Sequence, residues 1–167
     1  FSDRDLTQTA DLTDAVYCTV SDGEDIHITA AGVYVLSGST SDVTVYVEAG
    51  DDDKVQLVLD GVRIENTDFP CIYVKNADKV FVTTSADSSL SVTGAFIADG
   101  DTHTDGVIFS RDDLTVNGSG ALTVATAFGN GIVCKDELTV TGGALSVTAS
   151  GHAVDVNDLA CVTGGTL

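Results

Sequence analysis

One hexapeptide returns along the chain with its charges in register. Arg111-Asp112-Asp113-Leu114-Thr115-Val116 comes back as Lys135-Asp136-Glu137-Leu138-Thr139-Val140, and again, faded, as Asn157-Asp158-Leu159-Ala160-Cys161-Val162. The copies start 24 and then 22 positions apart. Each runs through a glycine turn into a second short apolar-alternating run at 121–124, 144–147 and 166–167. Lys54-Val55-Gln56-Leu57 recurs 25 positions on as Lys79-Val80-Phe81-Val82, so the period already runs in the N-terminal half. A period in the low twenties with two strand-like runs is the signature of a solenoid.

Val and Thr alternate in short stretches and no helix-long periodic run is visible, which is the pattern of strands. Aligning the copies points Leu114, Val116, Leu138, Val140, Leu122, Val124, Leu145, Val147, Ile132 and Cys134 inward, and Thr115, Thr139, Thr123, Ser146, Phe109 and Val133 outward. One inward stack per strand fills a narrow tube with branched aliphatics. The expected fold is all-β: a right-handed parallel β-helix with three short strands per coil. Its hand is taken from the general rule for parallel crossovers. Length gives one domain. Residues 1–25, polar and irregular, are expected to cap the open end, with the β-helix over 26–167. The chain starts without Met and stops inside an expected strand, so both ends read as cut. One coil is interrupted between Val92 and Val107, and solenoid insertions collect on binding faces, although most are merely tolerated surface loops.

The chain carries 26 acidic residues against 7 basic ones, a net charge of -19. That excludes nucleic acid, which requires a basic surface, and disfavours anionic membranes. It suits a secreted or cell-surface protein and cation binding, and equally a self-repelling soluble surface. No apolar run is long enough to insert in a membrane as a helix. Cys18, Cys71, Cys134 and Cys161 match no zinc spacing. Cys134 sits on an inward position and Cys161 on an outward one, which opposes a bridge between them. A Cys18–Cys71 pair is left open.

Stacked coils lie about 4.8 Å apart, so equivalent repeat positions become vertical neighbours. Asp78, Asp112, Asp136 and Asp158 fall in one column, and Asp113 and Glu137 in a second. Carboxylates one rung apart repel by roughly 1 kcal/mol in water and by more at lower dielectric. Calcium, which takes hard oxygen donors from turns, would relieve that. So would the basic column beside it, Lys75, Arg111 and Lys135, acting as surface ion pairs. The Asp99, Asp101 and Asp105 loop is a second calcium candidate, although it lacks the Glu of an EF-hand. Lys75, Arg111 and Lys135 could instead hold the carboxylates of an acidic polysaccharide. Tyr73, Phe109 and Phe81, outward by alternation, could supply rings for sugars to stack on.

Catalytic signals are sparse. His27, His103 and His152 are scattered, and there is no nucleophile elbow or phosphate loop. Asn117-Gly118-Ser119 fits a glycosylation sequon but reads better as a turn. Paired acids are plentiful, so residue type alone does not exclude a glycosidase. Arg111 or Lys135 would serve by type as the base of a β-eliminating lyase.

Several segments together resemble one known family: Phe1-Ser2-Asp3-Arg4-Asp5-Leu6, Gly32-Val33-Tyr34-Val35-Leu36-Ser37-Gly38, Gly50-Asp51-Asp52-Asp53-Lys54-Val55, Leu59-Asp60-Gly61-Val62, Ile72-Tyr73-Val74-Lys75-Asn76-Ala77-Asp78-Lys79-Val80 and the Lys-Asp-(Asp/Glu)-Leu repeats. It is the bacterial carbohydrate-binding β-helix family, whose members are secreted or displayed by anaerobic Gram-positive bacteria. The resemblance spans nearly the whole chain. It implies a fold similar to pectate lyases, binding to cellulose or polygalacturonate, and calcium along the helix. It strengthens calcium at the Asp112/Asp113 and Asp136/Glu137 turns, whereas the Asn157-Asp158 turn departs from the pattern. No short motif carries over sugar-contacting residues.

The sequence therefore predicts a non-catalytic, calcium-containing carbohydrate-binding module whose partner is a plant cell-wall or acidic polysaccharide. Two other readings stand beside it: a surface adhesin or filament module associating end to end through open β-helix ends, and a polysaccharide lyase.

Overall fold

The computed structural model describes residues 1–167 and is a parallel β-helix of eighteen strands with one helical turn. After α1 (Asp3–Leu6), β1 (Val16–Thr19) and β2 (Ile26–Ile28) make a short opening coil. The second coil is β3 (Gly32–Ser37), β4 (Ser39–Ser41) and β5 (Val45–Glu48); the third is β6 (Lys54–Asp60), β7 (Arg63–Asn66) and β8 (Ile72–Asn76). The fourth is β9 (Lys79–Ala86), β10 (Ser88–Val92) and β11 (Gly106–Ser110); the fifth is β12 (Asp113–Gly118), β13 (Ala121–Thr126) and β14 (Asn130–Cys134). The sixth is β15 (Glu137–Val140), β16 (Ala144–Thr148) and β17 (Val154–Val156), and β18 (Leu159–Val162) begins a seventh.

Like strands stack into three parallel sheets. Sheet 1 runs β1-β3-β6-β9-β12-β15-β18, sheet 2 runs β4-β7-β10-β13-β16, and sheet 3 runs β2-β5-β8-β11-β14-β17. The register is that of the repeats: Leu114 pairs with Leu138 and Val80, and Leu138 with Ala160. Each sequence period is thus one full coil. The aliphatics at inward positions meet in a single core of thirty buried residues, with Leu36, Leu59, Ile64, Ile108, Leu114 and Ile132 wholly inaccessible. Burial of that aliphatic stack, at roughly 25 cal/mol per Å² of apolar surface, is the main force holding the coils together. Cys134 belongs to this core, and all four cysteines are unbonded.

Two segments outside the periodic pattern shape the surface. The first is the N-terminus. It does not cap the open end of the tube, as the sequence suggested, and the β-helix starts with β1 rather than at residue 26. Instead α1 lies along the outer face of sheet 1. Ser2 caps it and closes a capping box with Asp5. Asp5, 2% exposed, accepts from Thr115 Oγ1 at 2.8 Å and Lys79 Nζ at 3.2 Å. Gln8 accepts from the Gly118 amide at 2.9 Å, and Asn117 Nδ2 donates to the Asp5 and Thr7 carbonyls. This strap is why outward Thr115, Asn117 and Thr141 are buried, each bonded to it. The physical reason it lies here is polar satisfaction: the outer face of sheet 1 carries a buried row, Gln56–Thr83–Asn117, joined side chain to side chain, whose remaining amide donors find the strap's carbonyls.

The second is the insertion after β10, which folds back over sheet 3. Ile97 N donates to Asp68 O, and the buried Thr104 hydroxyl donates to Ile97 O at 2.8 Å. Tyr73 donates its hydroxyl to Asp99 at 2.9 Å, and Asn130 Nδ2 donates to Asp105 at 3.1 Å.

Candidate functional site

Register places Asp78, Asp112, Asp136 and Asp158 in one column at the turn into sheet 1. The neighbouring column is Lys54, Lys79, Asp113 and Glu137, so half of it is basic. The ladder is therefore partly self-neutralised. Lys54 pairs with Asp78, and Lys79 lies 3.9 Å from Asp113. Backbone amides take a further share: Ala77 N–H donates to Asp112 and Glu137 N–H to Asp113. Burial still pushes the Asp112 and Asp113 carboxyls above the usual aspartate range, and Asp136 adds to the push on both. Asp136 and Asp158 are exposed. No three carboxylate, cysteine or histidine side chains converge as a group able to hold a metal ion, so side chains alone do not form a calcium cage here.

The Asp99, Asp101 and Asp105 loop does not close on a common centre either. Asp99 is turned to Tyr73 and Lys75, Asp105 is turned to Asn130, and Asp101 is exposed. Asp99 and Asp105 thus anchor the insertion to different parts of sheet 3, and the three acids of the expected calcium loop share no common centre.

The aromatic expectation is also corrected. Phe81, Tyr73 and Phe109 do point away from the tube, yet none is a solvent-facing platform, being 0%, 0% and 1% exposed. Phe81 lies beneath the strap, with the Arg4 guanidinium 4.5 Å from its ring centroid. Tyr73 and Phe109 form an outer cluster with Val133 under the insertion, their rings edge to face at 5.6 Å. Alternation gives the side of the sheet; it does not show what a non-periodic segment lays over it. The exposed end of this aromatic column is Tyr46 stacked on His27 at 4.8 Å, with Phe69 beside it.

The basic column holds the clearest candidate site. Lys75, near the end of β8, and Arg111, Lys135 and Asn157, each just past the end of its sheet 3 strand, follow one another on successive rungs. Lys75 is engaged by Glu48 at 3.0 Å and Asp99 at 3.7 Å. The Glu48 hydrogen bond raises its proton affinity, against the opposing effect of burial. Lys54, Arg63 and Lys79 are likewise paired with acids, and Arg4 covers Phe81 and bonds Gln56. Arg111 and Lys135 have no carboxylate partner. In a chain of net charge -19, the two unpaired cations are neighbours on adjacent rungs. They line a cleft of about 480 Å³ with Asn157, Thr102, His103 and Asp105, so the insertion forms its other wall. Phe109 is in the lining, with Lys135 Nζ 5.7 Å from its ring centroid. Sequence reasoning identified Arg111 and Lys135. It missed the roles of Thr102 and His103 because the insertion is not periodic, and it read Asn157 only as a fading of the repeat. The sequon is not an acceptor site: Asn117 is fully buried and its amide is bonded to the strap.

Comparison with known proteins agrees with this architecture. A curated protein of Acetivibrio thermocellus, described as a carbohydrate-binding domain-containing protein, is 38% identical over 129 residues, 75% of this chain. The match spans 45% of that relative's length. A solved structure described as a polysaccharide lyase-like protein from C. thermocellum, as a gadolinium derivative, superposes with a TM-score of 0.70 at 29% identity. That alignment covers 90% of this chain and 79% of the other. Residues 22–167 match the family described as carbohydrate-binding domain-containing proteins, and the chain belongs to that family.

Proposed function

We propose that this chain is a non-catalytic module that holds an acidic polysaccharide, of the pectin or polygalacturonate kind, through the cleft between the basic column and the insertion. The observation that carries this reading is the pair Arg111 and Lys135, unpaired on adjacent rungs of an otherwise strongly acidic surface. A surface of this charge repels a polyanion except where cations are concentrated, so those two residues would decide where one docks. Arg111 offers a planar fork for a carboxylate, and Lys135 a point charge over the Phe109 ring. Asn157, Thr102 and His103 add polar contacts for hydroxyls. Retention on immobilised polygalacturonate tests it. Arg111→Ala with Lys135→Ala should weaken retention at least about tenfold, or ~1.4 kcal/mol, and undiminished retention would overturn the reading.

Calcium belongs to this proposal at one place, the Asp112, Asp113, Asp136 and Glu137 rung. These acids would hold it only with backbone carbonyls or water completing the shell, as calcium sites allow. There the ion would relieve carboxylate repulsion. We place the protein outside the cell, in keeping with its acidity and a polysaccharide partner; surface labelling of intact bacteria would test that.

The lyase-like description of the solved relative favours one competing reading, cleavage of the bound polymer. Incubation with polygalacturonate and calcium, read by ultraviolet absorbance of unsaturated ends, separates the two. The binding reading expects none.

A further inference from the structure

The basic column carries three cations in register, and only two of them are free. The Arg111 amide donates to Val74 O at 3.1 Å, the Lys135 amide to Ser110 O at 2.9 Å and the Asn157 amide to Cys134 O at 3.0 Å. The ladder of sheet 3 therefore runs on through the column and stacks Lys75, Arg111 and Lys135 on consecutive rungs. Lys75 and Lys135 also lie alike over neighbouring rings, each Nζ being 5.7 Å from the centroid of Tyr73 or Phe109.

What sets Lys75 apart is its company. Glu48, the last residue of β5 on the coil below, places Oε1 3.0 Å from Lys75 Nζ, and Asp99 places Oδ2 3.7 Å from it. The two acids come from different elements, since Asp99 belongs to the insertion. The same Asp99 oxygen accepts from the Tyr73 hydroxyl at 2.9 Å, so it is fixed beside the column independently of Lys75. The cleft ends where this cluster begins: Arg111 and Lys135 line it and Lys75 does not. The side chains of Lys75, Glu48 and Asp99 are all partly exposed. Ion pairs in contact with water are weak and yield to a competing anion.

We propose that Lys75 is a masked third cation of the polyanion site, and that Glu48 and Asp99 are built-in competitors that confine the open site to two rungs. This rests on the acidic-polysaccharide reading and names the residues that set how much charge a ligand must carry. A ligand with two carboxylates engages Arg111 and Lys135 and stops there. A ligand whose carboxylates reach across three rungs, about 10 Å at the spacing of stacked strands, meets Lys75 as well, but only by displacing two carboxylates already in place. Dense runs of charge are favoured over sparse ones, because the competitors subtract from every ligand that reaches the third rung. Through Asp99 the insertion thus sets a threshold of charge besides walling the cleft.

The test uses the whole chain, titrated with digalacturonate and with hexagalacturonate. Glu48→Gln/Asp99→Asn unmasks Lys75. Both substitutions keep the shape of the side chain, and the amide oxygen left by Asp99→Asn still accepts from Tyr73. Asp52→Asn/Asp101→Asn is the charge-matched control, since both acids are exposed and neither pairs with a cation. Melting curves verify that the variants are folded. The proposal expects the unmasked variant to bind hexagalacturonate at least about threefold tighter than wild type. Its salt dependence should be steeper, because one more cation engages the polymer. The gain should be smaller on digalacturonate, should exceed that of the control, and should vanish when Lys75→Ala is added. A gain no larger than the control's, a gain equal on both ligands, or one that survives Lys75→Ala would overturn the masking while leaving the cleft reading intact. Hexagalacturonate ignored by wild type and by every variant would overturn both.

Discussion

The Asp5 carboxylate and the Thr115 hydroxyl, far apart in sequence, meet at 2.8 Å. The same carboxylate oxygen accepts from Lys79, whose side chain is 14% exposed, and the other accepts from the Ser2 amide. This buried junction clips the N-terminal strap to the β-helix.

Asp5→Asn should therefore destabilise the fold by about 3 kcal/mol, because Lys79 is left with only the more distant Asp113 for its charge. The pH dependence has a definite sign. Burial alone would raise the Asp5 pKa, but the Ser2 amide, the Thr115 and Ser2 hydroxyls and Lys79 together bring it down to about 2. A carboxyl depressed in the native state stabilises above its unfolded pKa and loses that stabilisation as pH falls toward the native value. About 2 kcal/mol should disappear between roughly pH 5 and pH 2. Urea melts across that range should show the acid limb, and Asp5→Asn should flatten it.

The carboxylate rung behaves in the opposite sense. Asp112 and Asp113 are raised, first by burial and also by Asp136, so their ionised forms weigh against the native state. That cost is present at neutral pH and is relieved as pH falls through their raised native values, before the Asp5 junction is lost. Calcium should relieve it without acid. At 100 times its dissociation constant it would add about 2.7 kcal/mol, read as a higher Tm in calcium than in chelator. The gain should vanish in Asp112→Asn/Asp136→Asn. An identical Tm with calcium and with chelator would remove the ion from the account.

Gly118 marks a third dependence. Its φ is +116°, and its Cα faces the Thr84 backbone so closely that a Cβ would overlap it. Its amide also donates to Gln8 of the strap. Gly118→Ala should cost about 1–3 kcal/mol and expose the strap to proteolysis. A thermal melt and a limited protease digest check the two effects separately.

Much of this architecture was readable from spacing. Leu114, Leu138 and Ala160 stand where the repeat put them, because one period is one coil and the core tolerates no slip. The adjacency of Arg111 and Lys135 follows from the same register. What spacing did not show was what lies over each face. Phe81 and Tyr73 point outward as alternation requires, and are covered by Arg4 of the strap and by the insertion carrying Asp99. Neither segment has a period, and their contacts join residues far apart in sequence. The Asp99, Asp101 and Asp105 spacing likewise resembles a ligand loop, yet Asp99 turns to Tyr73 and Lys75, Asp105 to Asn130, and Asp101 to solvent.

The most direct measurement of the central claim is the affinity of the folded chain for polygalacturonate, by titration at low and high salt, with Arg111→Ala/Lys135→Ala alongside. The account predicts binding that weakens as salt rises, since the contacts are between exposed charges, and that falls at least tenfold in the double variant at low salt. Binding of equal strength in wild type and variant, or no binding to the polymer at all, would contradict it.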